Sequence, residues 1–357
     1  MSFFCLKFFL TAILFSLIIA ALFIKYNKHK LYSNPELILY SLGLGPIVTV
    51  LLLYYLLLLF PYHTATFYTG IVFLIYALIA AFSINGFRIL LTQMKRTEWR
   101  KIIAPRQTKI YWIFVLVLLL TFLFLYLGNT LQTPIEQHDA LIYGNLGKMY
   151  YVSKTIPYEK LMKDRGNGFY FQGSQKPSFS LLLTWEMMLN PRSINRSPNF
   201  DLFFRSITGY YSLLMVAVMF LWLYRKNKYL ALLGMLVLLS SLSFMLMILN
   251  YHLDSYRLFF LSVSWIWLAY SIRNSDGLSL FLLGIFSGFT AFAHPIGLIV
   301  AVTNIVAFFI FYQGKFASRL LRTATLCFLL FGMGNLHYFM EIVYGSISGW
   351  ASYIAGS

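Results

Sequence analysis

The chain has 357 residues, 60% apolar, 19% aromatic and only 11% charged, with a mean hydropathy of +0.73. Soluble proteins carry about 25% charged residues, and a water-soluble fold of this composition has too little polar surface to cover itself. These figures exclude one or two soluble domains and imply an all-α polytopic membrane protein.

Crossing the hydrocarbon core takes about 20 apolar residues. About ten such runs are predicted, at 8–24, 37–60, 66–91, 111–128, 206–224, 229–250, 255–272, 278–293, 296–313 and 323–340. The runs 278–293 and 296–313 are separated only by Ala293-His294-Pro295, where proline ends or kinks a helix. The net charge of +17 comes from 28 Lys and Arg against 11 Asp and Glu. Loops between alternate runs hold 17 of the basic residues, at 25–30, 88–109, 225–228, 273 and 315–322, against Glu36, Glu98 and Asp276, a net +14. The rest of the chain is +3. The positive-inside rule puts the basic set in the cytoplasm, so the charge sets orientation and implies no nucleic-acid partner. The N-terminus, the segment 129–205, the 250–255 turn, the 293–296 break and the tail then face out. The first run reads as a retained helix rather than a signal peptide, because no small-residue cleavage site follows it.

Segment 129–205 is the one long polar stretch, and loops of that length are usually functional or disordered. Leu141, Ile142, Leu146, Met149 and Tyr150 fall at helical spacing behind Asp139. The run 176–189 is apolar but too short to span, so it is expected to lie in the outer interface with Trp185 at the headgroups. Pro177 suits its first turn.

Asp139 and Asp254 both fall at the outer boundary by this topology. Acidic groups at such depth read either as helix caps or as functional carboxylates. Lys176, Arg205 and Arg257 invite two readings, a point charge for a lipid phosphate or a snorkelling cation. Five histidines (His63, His138, His252, His294 and His337) fall on the outer half, and His138, Asp139 and His252 are the candidates for a divalent metal, although no HxxxH-type spacing supports one. The two cysteines, Cys5 and Cys327, lie in apolar runs and form no CxxC site. No Walker loop, GxGxxG, GxSxG or HExxH motif is present.

The order of features resembles the C-type (GT-C) membrane glycosyltransferases, which include lipid A aminoarabinose transferases and protein O-mannosyltransferases. A span ends and an outer loop opens on His138-Asp139-Ala140-Leu141-Ile142-Tyr143, like the family's acidic motif with a tyrosine four residues on. Gln175-Lys176-Pro177-Ser178 resembles the Lys-Pro-Pro start of a juxtamembrane helix, and Arg205 the arginine at the outer end of the next span. Leu253-Asp254 and the break Ala293-His294-Pro295-Ile296-Gly297 follow in the family's order. Ala140 stands where the second acid is usual, and Ser178 where the second proline is.

The resemblance implies a GT-C-like helical bundle with its catalytic core at 111–313, three extra N-terminal helices within 1–110, and a last span and outer tail at 314–357 that stop short of the helices relatives add. It implies inverting transfer of a sugar from a polyprenyl-phosphate donor to a lipid, glycan or protein acceptor, on the outer face of a bacterial plasma membrane. Asp139 would be the base, and Lys176 and Arg257 would hold the donor phosphate. His138, Tyr143, Arg205, His252, Asp254 and His294 would support the cavity. A phosphate leaving group needs no general acid, so one carboxylate suffices, unlike the pair in a glycosidase. Two other readings stay open: a transporter or flippase of a lipid-linked glycan, and a non-catalytic assembly subunit.

Overall fold

A computed structural model describes residues 5–27, 31–95, 108–132, 138–158, 176–191, 198–242, 244–245, 254–274 and 276–347. Every regular element among them is helical. In chain order these are α1 (Leu6–Tyr26), α2 (Asn34–Leu59), α3 (Ala65–Phe82), α4 (Ile84–Lys95), α5 (Thr108–Gln132), α6 (His138–Ser153) and α7 (Pro177–Leu189). There follow α8 (Pro198–Tyr224), α9 (Lys228–Ser240), α10 (Asp254–Asn274), α11 (Gly277–Ala293), α12 (Pro295–Phe311), α13 (Phe316–Leu330) and α14 (Leu336–Ile347). Five stretches are long and apolar enough to cross a membrane: α1, α2, α3, the Arg205–Tyr224 part of α8, and Phe316–Tyr344 across α13 and α14. Outward faces carry Leu74, Leu78, Leu321 and Phe328, all more than half exposed, which suits contact with lipid tails. The architecture is that of an all-helical membrane protein.

The predicted run 66–91 is two helices, not one. Thr64 caps α3 by accepting from the Phe67 N–H, and Ser83 ends it. Lys25 from α1 donates to the Phe82 carbonyl at 2.8 Å and so closes the last turn of α3. In the run 229–250, α9 ends at Ser240, and helix is described again at 242 and 244–245. The predicted break at 293–296 is present: Pro295 takes the first position of α12, and His294 Nδ1 accepts from the Ile296 N–H as its cap.

The last predicted span, 323–340, is bent. Between α13 and α14 the chain forms a π-type turn, Phe331–Asn335, in which Gly334 has φ +88°. A side chain there would be strained, and its Cβ would lie 2.7 Å from the Phe292 ring. Asn335 Nδ2 donates to the Gly288 carbonyl across the bend, and Tyr55 OH donates to the Gly332 carbonyl. The bend's Gly332 and Leu330 carbonyls thus accept from Tyr55 of α2 and from the Asn335 side chain, as buried helix breaks require.

Helices α1 and α2 are integral to the bundle rather than an appendage. Helix α2 packs on α1, α7 and α8, and its Leu42 and Gly43 carbonyls accept from Tyr210 and Tyr211 of α8. Helices α10, α11 and α12 close the other side, tied by Asn304, which donates to Ser264 and Ser287. Small polar contacts of this kind hold helices together where no hydrophobic force separates protein from lipid.

Candidate functional site

Helices α6, α7 and α10 begin side by side. Tyr143 of α6, Phe179 of α7 and Tyr256 of α10 form a chain of edge-to-face rings with centroids 5.7 and 5.6 Å apart, and Tyr256 continues to Tyr211 of α8 at 4.9 Å. Such contacts favour edge-on geometry and fix the relative heights of the helices. Farther along, Thr184 donates to the Gly147 carbonyl, and a Cβ at Gly147 would lie 2.6 Å from the Ser180 carbonyl oxygen. Glycine is what lets α6 and α7 cross this closely. Asp139 lies in the first turn of α6, Lys176 caps α7, and Asp254 and Arg257 lie in the first turn of α10. The fold therefore brings these three segment starts, 37 and 78 residues apart in sequence, to one end of the bundle. The side chains of His138 and Asp139 lie outside the described residues, as does His252 altogether.

Lys176 is not a snorkelling cation. It is 3% exposed, and its Nζ lies 2.7 Å from Glu341 Oε2 and 4.0 Å from the centroid of Tyr338, both on α14. Glu341 Oε1 lies 2.9 Å from Nε2 of His337, one turn earlier on α14. His337 Nδ1 is 2.6 Å from Tyr158 OH, which is 3.0 Å from Tyr54 OH of α2. Buried polar side chains thus follow one another from Tyr54 through Tyr158, His337 and Glu341 to Lys176, hydrogen-bonded at each step but the close His337–Glu341 approach. Tyr158 reaches it because Lys154 takes a left-handed turn (φ 54°) after α6, with its carbonyl held by the Tyr62 N–H and Tyr68 OH. In sequence His337 is one of five histidines on the outer half, and nothing there singles out Glu341. The available signal is the i,i+4 spacing of His337 and Glu341, which puts both on one helix face.

The other candidates divide. Tyr143 is buried at the α6–α7 contact, and Arg205 is buried on α8. Arg257 pairs with Asp254 one turn away on α10, so this cation and this carboxylate first answer each other. His294 is the cap of α12. Among the described residues no three His, Cys, Asp or Glu cluster as a metal site.

Helix α7 differs from the expectation of an interfacial helix. It is buried along its length, and Trp185, expected at the headgroups, is 2% exposed against Phe15 and Phe73. The reason is its position between α1, α2, α3 and α6, which leaves it no lipid-facing side. Its far end buries Glu186, whose Oε1 accepts from Asn190 while Oε2 has no hydrogen-bond partner among the described residues. Burial pushes this carboxyl up to about 8. The folded state therefore holds a proton that the unfolded chain gives up near pH 4.5, so stability is expected to fall as pH rises from 5 to 8. Unfolding in micelles across that range should show the fall in the parent protein and its loss in Glu186→Gln.

The opposite end carries a second buried network. Glu36 and Tyr54 stand 18 residues apart on α2, about 27 Å along the helix. There Arg225 Nη1 lies 2.8 Å from Glu36 Oε2, and Tyr270 OH donates to Oε1 at 2.8 Å. Asp276 caps α11 and accepts from Tyr32 OH, beside a cavity of about 550 Å³ lined by Phe23, Tyr26 and Phe281. These carboxylates are committed to helix ends and tyrosines.

Comparison of the chain with protein-family profiles, curated proteins and solved structures found no match to any of them.

Proposed function

We propose that the protein is a membrane-embedded transferase of the GT-C type. It moves a sugar from a polyprenyl-phosphate donor to a hydroxyl acceptor at the end of the bundle where α6, α7 and α10 begin. The observation that carries this reading is a buried lysine, Lys176, set among polar side chains at one end of the bundle, beside the first turns that bear Asp139 and Asp254. A buried cation at the membrane boundary suits an anionic lipid headgroup, and the helix N-terminus behind it adds partial positive charge. Lys226, Lys228 and Arg273 flank the Arg225 end, and the positive-inside rule reads such an end as cytoplasmic, which supports an extracytoplasmic face for the site.

In this reading Asp139 takes the proton of the acceptor hydroxyl as the oxygen attacks the anomeric carbon, and the lipid phosphate leaves with the bonding electrons. Lys176 balances the charge that grows on that phosphate. Arg205 and Arg257 add positive potential at the same end, and apolar helix faces accept the prenyl chain. The test is transfer from a polyprenyl-phospho-sugar by purified full-length protein, with Asp139→Asn beside it. The variant is expected to lose transfer while keeping its fold, and undiminished transfer would remove Asp139 as the base.

One observation favours a second reading, a transporter of a lipid-linked glycan: the α13–α14 segment is an interrupted helix, a device common in transporters. The ionisable groups beside it sit near a helix end, since Tyr54 is five residues from the end of α2, rather than at the midplane where transporters bind. Transfer of sugar by protein in detergent, where no leaflets exist, separates the two.

A further inference from the structure

Glu341 sits where a ligand would be expected. It pairs with Lys176, and it is more open than the two groups it faces, 13% exposed against 3% for Lys176 and 2% for His337. Its two oxygens face different elements: Oε2 accepts from Lys176 of α7 at 2.7 Å, and Oε1 lies 2.9 Å from His337 Nε2 of α14 without hydrogen-bond geometry. This is the arrangement by which two donors hold two oxygens of a phosphate.

The donors themselves are fixed. Lys176 is held by its place as the cap of α7 and by the Tyr338 ring. His337 is held by Tyr158, itself bonded to Tyr54 and stacked on Tyr344 with centroids 5.7 Å apart. If Tyr158 donates to Nδ1 and accepts from Tyr54, Nε2 of the neutral ring carries the proton and stands beside the anion, off the line of a hydrogen bond to Oε1.

We propose that Lys176 and His337 form a binding site for the phosphate group of a lipid substrate, and that Glu341 is an internal carboxylate occupying that site until the phosphate displaces it. This rests on the reading of the protein as an enzyme of lipid-phosphate substrates. It adds His337 as a phosphate ligand, Tyr158 and Tyr54 as its positioning residues, and Glu341 as a built-in competitor. The charge balance is consistent: a buried lysine that must wait for an anionic substrate is costly to leave alone, and a displaceable carboxylate neutralises it in the interval. Because the competitor lowers affinity by the fraction of time it occupies the site, removing it tightens binding without adding a contact.

The experiment is calorimetric titration of the purified full chain in micelles with farnesyl phosphate, farnesol and inorganic phosphate. Glu341→Gln is expected to bind farnesyl phosphate at least tenfold tighter than the parent, with farnesol unchanged, and His337→Ala in the Glu341→Gln background is expected to lose most of that gain. Equal or weaker binding of farnesyl phosphate by Glu341→Gln, with the parent still preferring it to farnesol, overturns the competitor and leaves the enzyme reading intact. No preference for farnesyl phosphate over farnesol in either protein overturns both. A gain in binding without any sugar transfer supports the site and counts against the enzyme. An equal gain with inorganic phosphate alone overturns the assignment to a lipid headgroup. If Glu341→Gln is too unstable to purify alone, farnesyl phosphate present during extraction is expected to restore it and to raise its unfolding temperature more than the parent's. Failure to do so overturns the proposal.

Discussion

Arg225→Gln is expected to destabilise the protein by about 3 kcal/mol, and the double variant Glu36→Gln/Arg225→Gln by clearly less. Glu36 is 1% exposed, its two oxygens facing Arg225 at 2.8 and 3.0 Å and Tyr270 at 2.8 Å, with Tyr40 at 3.4 Å. Removing the guanidinium leaves a buried carboxylate with only neutral donors to answer it, the Tyr40 and Tyr270 hydroxyls and the N–H and hydroxyl of Ser33, and an unpaired buried charge costs more than the pair contributes. Arg225 is 34% exposed and so partly solvated, which holds the expectation at the low end of the range of about 3–5 kcal/mol for broken buried pairs. With Glu36 also neutral, the amide can still accept from Tyr270, and the orphaned charge is gone. The network joins the start of α2, the end of α8 and α10, so the loss should appear in global unfolding followed by helical circular dichroism in micelles. If the two single changes simply add in the double variant, the groups are uncoupled and the network is not what binds these ends.

This network also shows how far the chain can be read before it is folded. The membrane class followed from composition, because no arrangement of 11% charged residues covers a soluble surface. The helix starts followed from local chemistry: Pro177 and Pro295 opening helices, and Asp254 in a first turn, are dictated by backbone hydrogen bonding and not by neighbours. The failures all needed a tertiary partner. The span 66–91 breaks at Ser83, where Lys25 from another helix satisfies the end of α3. The span 323–340 bends at Gly334 because Gly288 and Tyr55 supply partners for the bend. Trp185 carries the residue-type signal of an interfacial anchor, and only the packing of α1, α2, α3, α6 and α11 around α7 reveals that it faces protein. Hydropathy reads Glu36 and Glu341 simply as rare charges near apolar runs. What distinguishes them is the cation each meets across the bundle, at sequence separations of 189 and 165 residues.

Lys176→Gln is expected to lower sugar transfer about 10²- to 10³-fold, mainly in kcat, while farnesol binding is unchanged. The leaving phosphate gains charge as the glycosidic bond breaks, so a fixed ammonium beside it stabilises the transition state more than the bound donor. At 3% exposure that ammonium acts in a medium where each contact counts for more than in water. Lys176→Arg is not expected to rescue the rate. The ammonium fits between Glu341 at 2.7 Å and the face of Tyr338 at 4.0 Å, and a planar guanidinium is longer and wider than that space. The cost to folding should be smaller than at Glu36, because Glu341 retains His337 and is 13% exposed, so it can find water or a proton. A merely structural lysine would give the opposite pattern: a lower unfolding temperature, and transfer within about threefold of the parent once the folded fraction is counted. Lys176→Gln/Glu341→Gln separates the cases further. If the lysine acts only to neutralise the glutamate, the double variant regains full transfer. If its partner in the reaction is the substrate phosphate, the double variant stays as slow as Lys176→Gln, because the charge that balances the leaving group is still missing.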